Sequence, residues 1–417
     1  MTWFSKPMRW LLPCMVAACA ALVGCGGGGG GGSAAPATTT TPVPVVLTNV
    51  VPVVVDSGPT GNSVNMPFAT VTVCLPGSQT QCQTIDHVLL DTGSTGLRVL
   101  SSVLSSTLSL PAANGAAGLP LLNCSQFLDN SFTWGPIVLA DVSLGSASNT
   151  AASLPIQIIA DPRYNALSSA CATGQANATV SALGAKGILG VGLFMQDCGA
   201  GCANTTNNGV YYTCSSAACT KAVPTTASVS QQLQNPIGTF THDNNGVVID
   251  LPSVAGLGAP SVSGSMYFGV GTQTNNALGS ANLLTTDGNG YFTTTFGGKN
   301  LTTSFIDTGS NGVYFDSASF TQCSTSNLSG FYCPATASTQ TATNAGANGT
   351  RTTVTFGVDS ATRLLANTAN SVLPALSGPV GDARTFDWGL PFFLGRRVFV
   401  GFEGKTTGTQ LGPYFAY

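Results

Sequence analysis

Charge is what this sequence has least of. Only 7% of its 417 residues are Asp, Glu, Lys or Arg, and Glu403 is the single glutamate. Charge this sparse would be odd in a cytosolic enzyme and suits an exported β-rich protein of Ser, Thr, Gly and Asn. A formal net charge of −3 offers no basic face for nucleic acid. Histidine is almost missing. His87 and His242 are too few and too isolated for a metal cluster or a Ser-His system, so neither metal nor cofactor is expected. Long helical periodicity is scarce too, and residues 226–233 and 361–366 are the best short candidates. The chain is instead dominated by alternating and β-branched runs between turn residues. Strands are expected over 50–55, 68–74, 86–90, 137–144 and 154–159. The expected class is mainly β.

The start of the chain reads as an address. Lys6 and Arg9 precede an apolar stretch over 10–24 that is short for a membrane span. It ends in Leu22-Val23-Gly24-Cys25, which resembles the lipobox of bacterial lipoproteins; the other reading is an ordinary signal peptide with an incidental cysteine. The resemblance implies a signal peptide over 1–24 and a lipid-modified Cys25 anchored in the bilayer. Gly26, rather than aspartate, then favours the outer membrane. The Gly-, Ala-, Thr- and Pro-rich tract within 25–48 has the composition of a flexible tether.

Thirteen cysteines fit export. With Cys14 and Cys19 in the leader and Cys25 lipidated, an even number is left for disulfides. Cys74 with Cys82 and Cys323 with Cys333 close short loops and are the expected local pairs. Cys198, Cys202, Cys214 and Cys219 allow nested or sequential pairing; zinc is the weaker alternative, since their spacing is not a two-knuckle pattern. Cys124 and Cys171 are left for each other by elimination.

One stretch occurs twice. Val88-Leu89-Leu90-Asp91-Thr92-Gly93-Ser94 has a counterpart in Ser304-Phe305-Ile306-Asp307-Thr308-Gly309-Ser310. Each is an apolar run ending on an aspartate and turning through Thr-Gly-Ser. A later glycine-punctuated apolar segment follows each: Gly187-Ile188-Leu189-Gly190-Val191-Gly192, then Gly389-Leu390-Pro391-Phe392-Phe393-Leu394-Gly395. Duplicated surroundings suggest a duplicated half-site, with Asp91 and Asp307 facing each other across an internal two-fold. Carboxylates at hydrogen-bond distance share a proton, so one takes a proton from water while the other donates to a scissile carbonyl. Gly93 and Gly309 let the backbone pass close to the partner half. Ser94 and Ser310 donate to the outer carboxylate oxygens, which predicts a dyad shifted to acid pH.

From about Val50 to Tyr417 the sequence resembles the pepsin-like aspartic proteases. In that family each of two lobes, a β-barrel or sheet half, carries one Asp-Thr/Ser-Gly turn, and a later hydrophobic-hydrophobic-Gly segment threads through the turn's loop. The resemblance implies lobes over 49–235 and 236–417, a catalytic pair of Asp91 and Asp307, and a peptide or protein substrate. No partner chain is needed, so a monomer is expected. It assigns the cross-linking hydroxyls to Thr92 and Thr308. Gly264-Ser265-Met266-Tyr267-Phe268-Gly269 and Gly279-Ser280-Ala281-Asn282-Leu283 resemble the family's entry to its second lobe.

Two departures stand out. Phe132-Thr133-Trp134-Gly135 takes the place of the Tyr-Gly pair of the family's flap, and Arg98 stands where a tryptophan usually follows the first turn. Arg98 stacked on Trp134 would replace the missing contact by a cation–π one worth roughly 1–2 kcal/mol; otherwise Arg98 points to solvent and Trp134 is a packed loop aromatic. No Lys or Arg occurs between Arg9 and Arg98, so the basic pro-segment common in the family is not expected. Two functions follow: an aspartic endopeptidase, or a non-catalytic lipoprotein of the same body that binds a peptide or other polymer in its cleft.

Overall fold

Val, Ile, Thr and aromatic runs broken by Gly, Pro and Asn turns give a mainly β chain with barrel-like sheets. The structure, a computed structural model, describes residues 48–115, 118–146 and 148–417. The expected leader, Cys25 and the tether as far as residue 47 lie outside the described residues. The first half supplies β1 (Val50–Val55), β2 (Pro67–Cys74), β3 (Cys82–Asp91), β4 (Thr95–Leu100), β5 (Leu121–Gln126), β6 (Phe132–Ser143), β7 (Thr150–Ile159), β8 (Gly187–Val191), β9 (Tyr211–Cys214) and β10 (Ala222–Pro224). All five expected strands are among them. The second half supplies β11 (Gly246–Leu251), β12 (Val262–Phe268), β13 (Leu283–Thr285), β14 (Phe292–Phe296), β15 (Lys299–Ile306), β16 (Val313–Phe315), β17 (Ser338–Ala345) and β18 (Arg351–Val358). It ends with β19 (Ser377–Gly378), β20 (Phe386–Trp388), β21 (Arg396–Gly401), β22 (Thr406–Thr407), β23 (Gln410–Leu411) and β24 (Tyr414–Ala416).

Of the two expected helices, one forms, as a single turn at Ala361–Leu364. Residues 226–233 do not become helical, because their donors are taken elsewhere. Ser228 N donates to the Gln231 side chain at 2.9 Å and Leu233 N to the Tyr211 hydroxyl at 2.8 Å.

The sequence repeat is a repeat of hydrogen-bonding order. In the first half β2 pairs antiparallel with β3, β3 runs parallel to β8, β8 antiparallel to β4, and β4 parallel to β7. In the second, β14, β15, β20, β16 and β19 follow with the same senses. A further pairing of β6 with β2 closes the first set into a barrel. β1 then carries the sheet from β2 into β12, β11, β21 and β24. Thr48–Tyr417 accordingly form one compact unit.

The two sets fill their interiors differently. Around β3, β4 and β8 the buried residues are aliphatic: Val88, Leu90, Leu97, Val99, Leu189 and Val191. Around β20 they are aromatic, with Phe315 stacked on Phe386 at 5.0 Å and the Phe386 and Trp388 rings tilted against each other at 4.3 Å. Such ring pairs add about 0.5–1.5 kcal/mol each beyond the area they bury.

Disulfides join Cys74–Cys82, Cys124–Cys171 and Cys323–Cys333 as expected. The open choice resolves to sequential pairs, Cys198–Cys202 and Cys214–Cys219, which leaves those thiols no zinc chemistry.

Candidate active site

β3 reaches the site as an apolar run whose last four residues are buried, and Asp91 is the last of them. Asp307 stands one residue beyond β15. Each turn folds its own N–H back on its carboxyl. Gly93 N donates to Asp91 Oδ1 at 2.8 Å, and Gly309 N to Asp307 Oδ1 at 2.7 Å. The serines supply the other oxygens: Ser94 Oγ donates to Asp91 Oδ2, and Ser310 Oγ lies 3.0 Å from Asp307 Oδ2.

The threonines lock the two turns together. Thr92 N donates to Thr308 Oγ1 and Thr308 N to Thr92 Oγ1, both at 3.0 Å. Their hydroxyls cross to the opposite strands, Thr92 to Ile306 O at 3.2 Å and Thr308 to Leu90 O at 2.6 Å. These four buried bonds bring the duplicated turns face to face. The glycines allow the approach: a Cβ on Gly93 would stand 2.6 Å from Asp307 Cγ, and one on Gly309 2.7 Å from Asp91 Oδ1.

Burial, then the charges of Asp91 and Asp387, then a hydrogen bond with Asp91 hold the Asp307 carboxyl well above the usual range. The serines alone implied the opposite direction. For Asp307 the outcome differs because burial and two neighbouring carboxyls outweigh one hydroxyl, and because that hydroxyl is shared. Ser310 Oγ is also 2.5 Å from Asp387 Oδ2.

Asp387 belongs to the segment that threads the second turn. In the first half β8 runs beside β3 with Asp91 opposite Gly190, as expected. In the second, the threading strand is β20, which lies just before the expected Gly389–Gly395 run and pairs Phe305 with Asp387 and Ile306 with Trp388. Gly389 is its closing glycine, since a Cβ there would stand 2.0 Å from Gly312 O. Leu390–Phe393 turn away as a short helix instead. A buried carboxylate among Phe386, Trp388 and Leu390 is the signal that could have revealed Asp387 in the sequence.

The expected flap residues are placed otherwise. Trp134 lies in β6, buried against Tyr212 at 5.2 Å, with its Nε1–H given to Tyr164 O at 2.9 Å. Gly135 is where β6 passes β7; a Cβ there would stand 1.9 Å from Ile158 O. The tip of the β5–β6 hairpin is the turn over 127–131, which presents Leu128 at 74% exposure. Arg98 does not stack on Trp134, and it does not point to solvent. Its Nε donates to Ser125 Oγ on β5 at 3.0 Å, one terminal nitrogen donates to Thr95 O at 2.9 Å, and the other stands 4.0 Å from Asp197. The arginine thus ties the first turn to the hairpin through Ser125.

Asp197, Asn123 and Tyr211 complete that buried group. The Tyr211 hydroxyl donates to Asp197 Oδ1 at 2.7 Å and Asn123 Nδ2 to Oδ2 at 3.1 Å. Burial still pushes Asp197 up to about 6, against the pull of Arg98 and these donors. Desolvation lowers Arg98, which feels Asp197, Tyr211 and Asp91. Among the described residues no group of His, Cys, Asp and Glu has the geometry of a metal site.

Fold and site together define a mainly β protein in which two Asp-Thr-Gly-Ser turns are braced against each other. Over residues 45–417 the chain matches the family described as "Protein of unknown function (DUF3443)", and it belongs to that family. No curated protein matches it.

Proposed function

We propose that this protein is an aspartic endopeptidase with a two-lobed, pepsin-like body. The observation that carries the reading is the reciprocal threonine brace, which sets Asp91 and Asp307 side by side and hydrogen-bonded. Asp307, held protonated by burial and its acidic neighbours, is the acid; Asp91 is the base. As water adds to the scissile carbonyl carbon, Asp91 takes its proton and Asp307 protonates the carbonyl oxygen. Collapse of that adduct breaks the C–N bond: the departing amine takes the proton from Asp91, and one hydroxyl of the adduct returns its proton to Asp307, which leaves the carboxylic acid and restores the pair. Neither a nucleophilic side chain nor a metal is needed for this balance. Leu22-Val23-Gly24-Cys25 supports an outer-membrane bacterial lipoprotein held by acyl chains on Cys25, with a monomeric body.

A second reading has its own support. Trp134 is packed and its N–H spent, so the hairpin offers no flap aromatic of the expected kind. A non-catalytic lipoprotein that holds a peptide or polymer in its cleft would tolerate that.

Full-length protein, isolated from membranes, incubated with a mixed peptide library from pH 3 to pH 7 separates the two. Hydrolysis is expected to be sensitive to pepstatin and to fall by about a thousandfold or more in Asp91→Asn and in Asp307→Asn, the scale on which essential acid–base groups act. Cleavage indifferent to both substitutions removes the assignment. Peptide retention without cleavage selects the binding reading. Mass analysis of the same preparation reads the anchor, since an unacylated N-terminus excludes it.

A further inference from the structure

The two halves share a pattern of strands, yet their serines have different surroundings. Ser94 serves Asp91 alone. Its counterpart Ser310 stands between two carboxyls, 3.0 Å from Asp307 Oδ2 and 2.5 Å from Asp387 Oδ2. The cause is one position in the threading strands. Aligning Gly190 with Gly389 puts Asp387 on the position of Ile188, so an apolar residue in one half is a carboxyl in the other.

A serine hydroxyl has one hydrogen. It can donate to only one of the two carboxyls, so the other short contact requires a proton on the carboxyl side. Asp387 is the better holder of that proton. Its side chain is buried, and Oδ1 has no hydrogen-bond partner, a situation costly for an anion and tolerable for a neutral acid. Asp307, by contrast, receives the Gly309 N–H and the Asp91 contact. Against the downward pull of the Ser310 hydroxyl, burial and the charged and titratable groups around Asp387 favour its neutral form. Asp91 faces it from the first turn, Asp307 lies beyond Ser310, and Tyr314 is its pairing partner on β16. Tyr314 is itself held neutral by burial, by Asp387 and by Asp129 of the hairpin turn. No cation is among these neighbours.

We propose that Asp387 is a positioning residue for the dyad: its carboxyl keeps a proton, donates it to Ser310 Oγ, and so commits the Ser310 hydroxyl to Asp307 Oδ2. The consequence falls on the dyad proton. With Oδ2 accepting from Ser310, the proton of Asp307 is confined to Oδ1. That oxygen and Asp91 Oδ1 lie against the same point beside Gly309, 3.1 and 2.7 Å from the Cβ position it lacks. Asp387 thereby directs the shared proton into the gap between the aspartates, where the proposed hydrolysis uses it. Burial pushes Asp387 up to about 8, so the arrangement holds through neutral pH and is lost above it. The role rests on the hydrolytic reading; the protonation state does not.

Two measurements on the full-length protein keep those apart. Infrared spectra at pH 7 should show a protonated-carboxyl band that is partly lost in Asp387→Asn, a near-isosteric change. An unchanged band means that Asp387 is ionised and overturns the proposal. In peptide cleavage at acid pH, Asp387→Ile, which copies Ile188, should lower kcat by roughly tenfold with KM unchanged, whereas Asp387→Asn, whose amide still donates to Ser310, should restore most of it. Equal losses in both variants overturn the positioning role. Band loss without cleavage by the unsubstituted protein supports the proton on Asp387 and sinks the hydrolytic reading alone.

Discussion

Arg98 and Asp197 have side chains only 3% and 6% exposed, yet their closest charged atoms remain 4.0 Å apart. Neither could be buried alone. The guanidinium is satisfied by Ser125 Oγ and Thr95 O, and the carboxyl by Tyr211 and Asn123, so the pair is joined by a hydrogen-bonded surround. Arg98→Met strands the carboxyl. The expected cost at pH 8 is about 3–5 kcal/mol, the usual penalty for removing one member of a buried pair. Because burial pushes Asp197 up to about 6, the loss should shrink at pH 5, where it is protonated in either protein. Urea unfolding at both pH values measures this, and Arg98→Met/Asp197→Asn should recover part of the loss at pH 8. A cost independent of pH would show that Arg98 stabilises by packing and not by pairing.

The β5–β6 hairpin is an element built into a sheet for most of its length. β9 pairs along the outer edge of β5, and Cys124 is bonded to Cys171 in the loop beneath. Phe132 N donates to Gln175 O at 3.0 Å and Asn177 N to Phe132 O at 2.8 Å. Within the 127–131 turn, Leu128, Asp129 and Asn130 are exposed, whereas Phe127 packs inward and Ser131 is buried. Cys124→Ala/Cys171→Ala opens a link across 47 residues of chain, worth about 4 kcal/mol on the chain-entropy account. Amide exchange should quicken across 121–136 while residues around Asp91 and Asp307 keep their protection. Unaltered exchange in the hairpin would mean that β9 alone holds it. The same element marks what the sequence could and could not disclose. The duplicated turns, their serines and the flanking apolar runs were legible because a strand and the turn that ends it are local in sequence. The surroundings of Arg98 were not, since Ser125 and Asn123 on β5, Asp197, and Tyr211 on β9 arrive from three separate segments whose meeting depends on β9 joining β5. Asp387 lay between these cases: its strand is short and aromatic, and the glycine run just after it offered a more conspicuous pattern.

Across the molecule, buried acids with raised pKa values set the response to pH. Asp387 is pushed up to about 8 and Asp197 to about 6, in each case chiefly by burial, and Asp307 is also held well above its ordinary 3.8. The unfolded chain gives up these protons near pH 4, whereas the folded one keeps them to higher pH. Between those limits the folded state binds more protons, so stability falls as pH rises, by about 1.4 kcal/mol for each pKa unit of displacement. Asp86 runs the other way: Lys186 lowers it to about 2, but it sits at the surface, where screening leaves such a pair little weight. Sparse charge removes the usual opposition at low pH as well. With 13 Lys and Arg and two His in 417 residues, acidification builds only modest repulsion. Calorimetry of the full-length protein should therefore give a Tm that declines from pH 4 to pH 8. In Asp387→Asn the decline should be shallower, most visibly between pH 6 and pH 8, where Asp197 has already lost its proton. A Tm that peaks at neutral pH would contradict the raised carboxyls themselves, whether or not the dyad cleaves peptides.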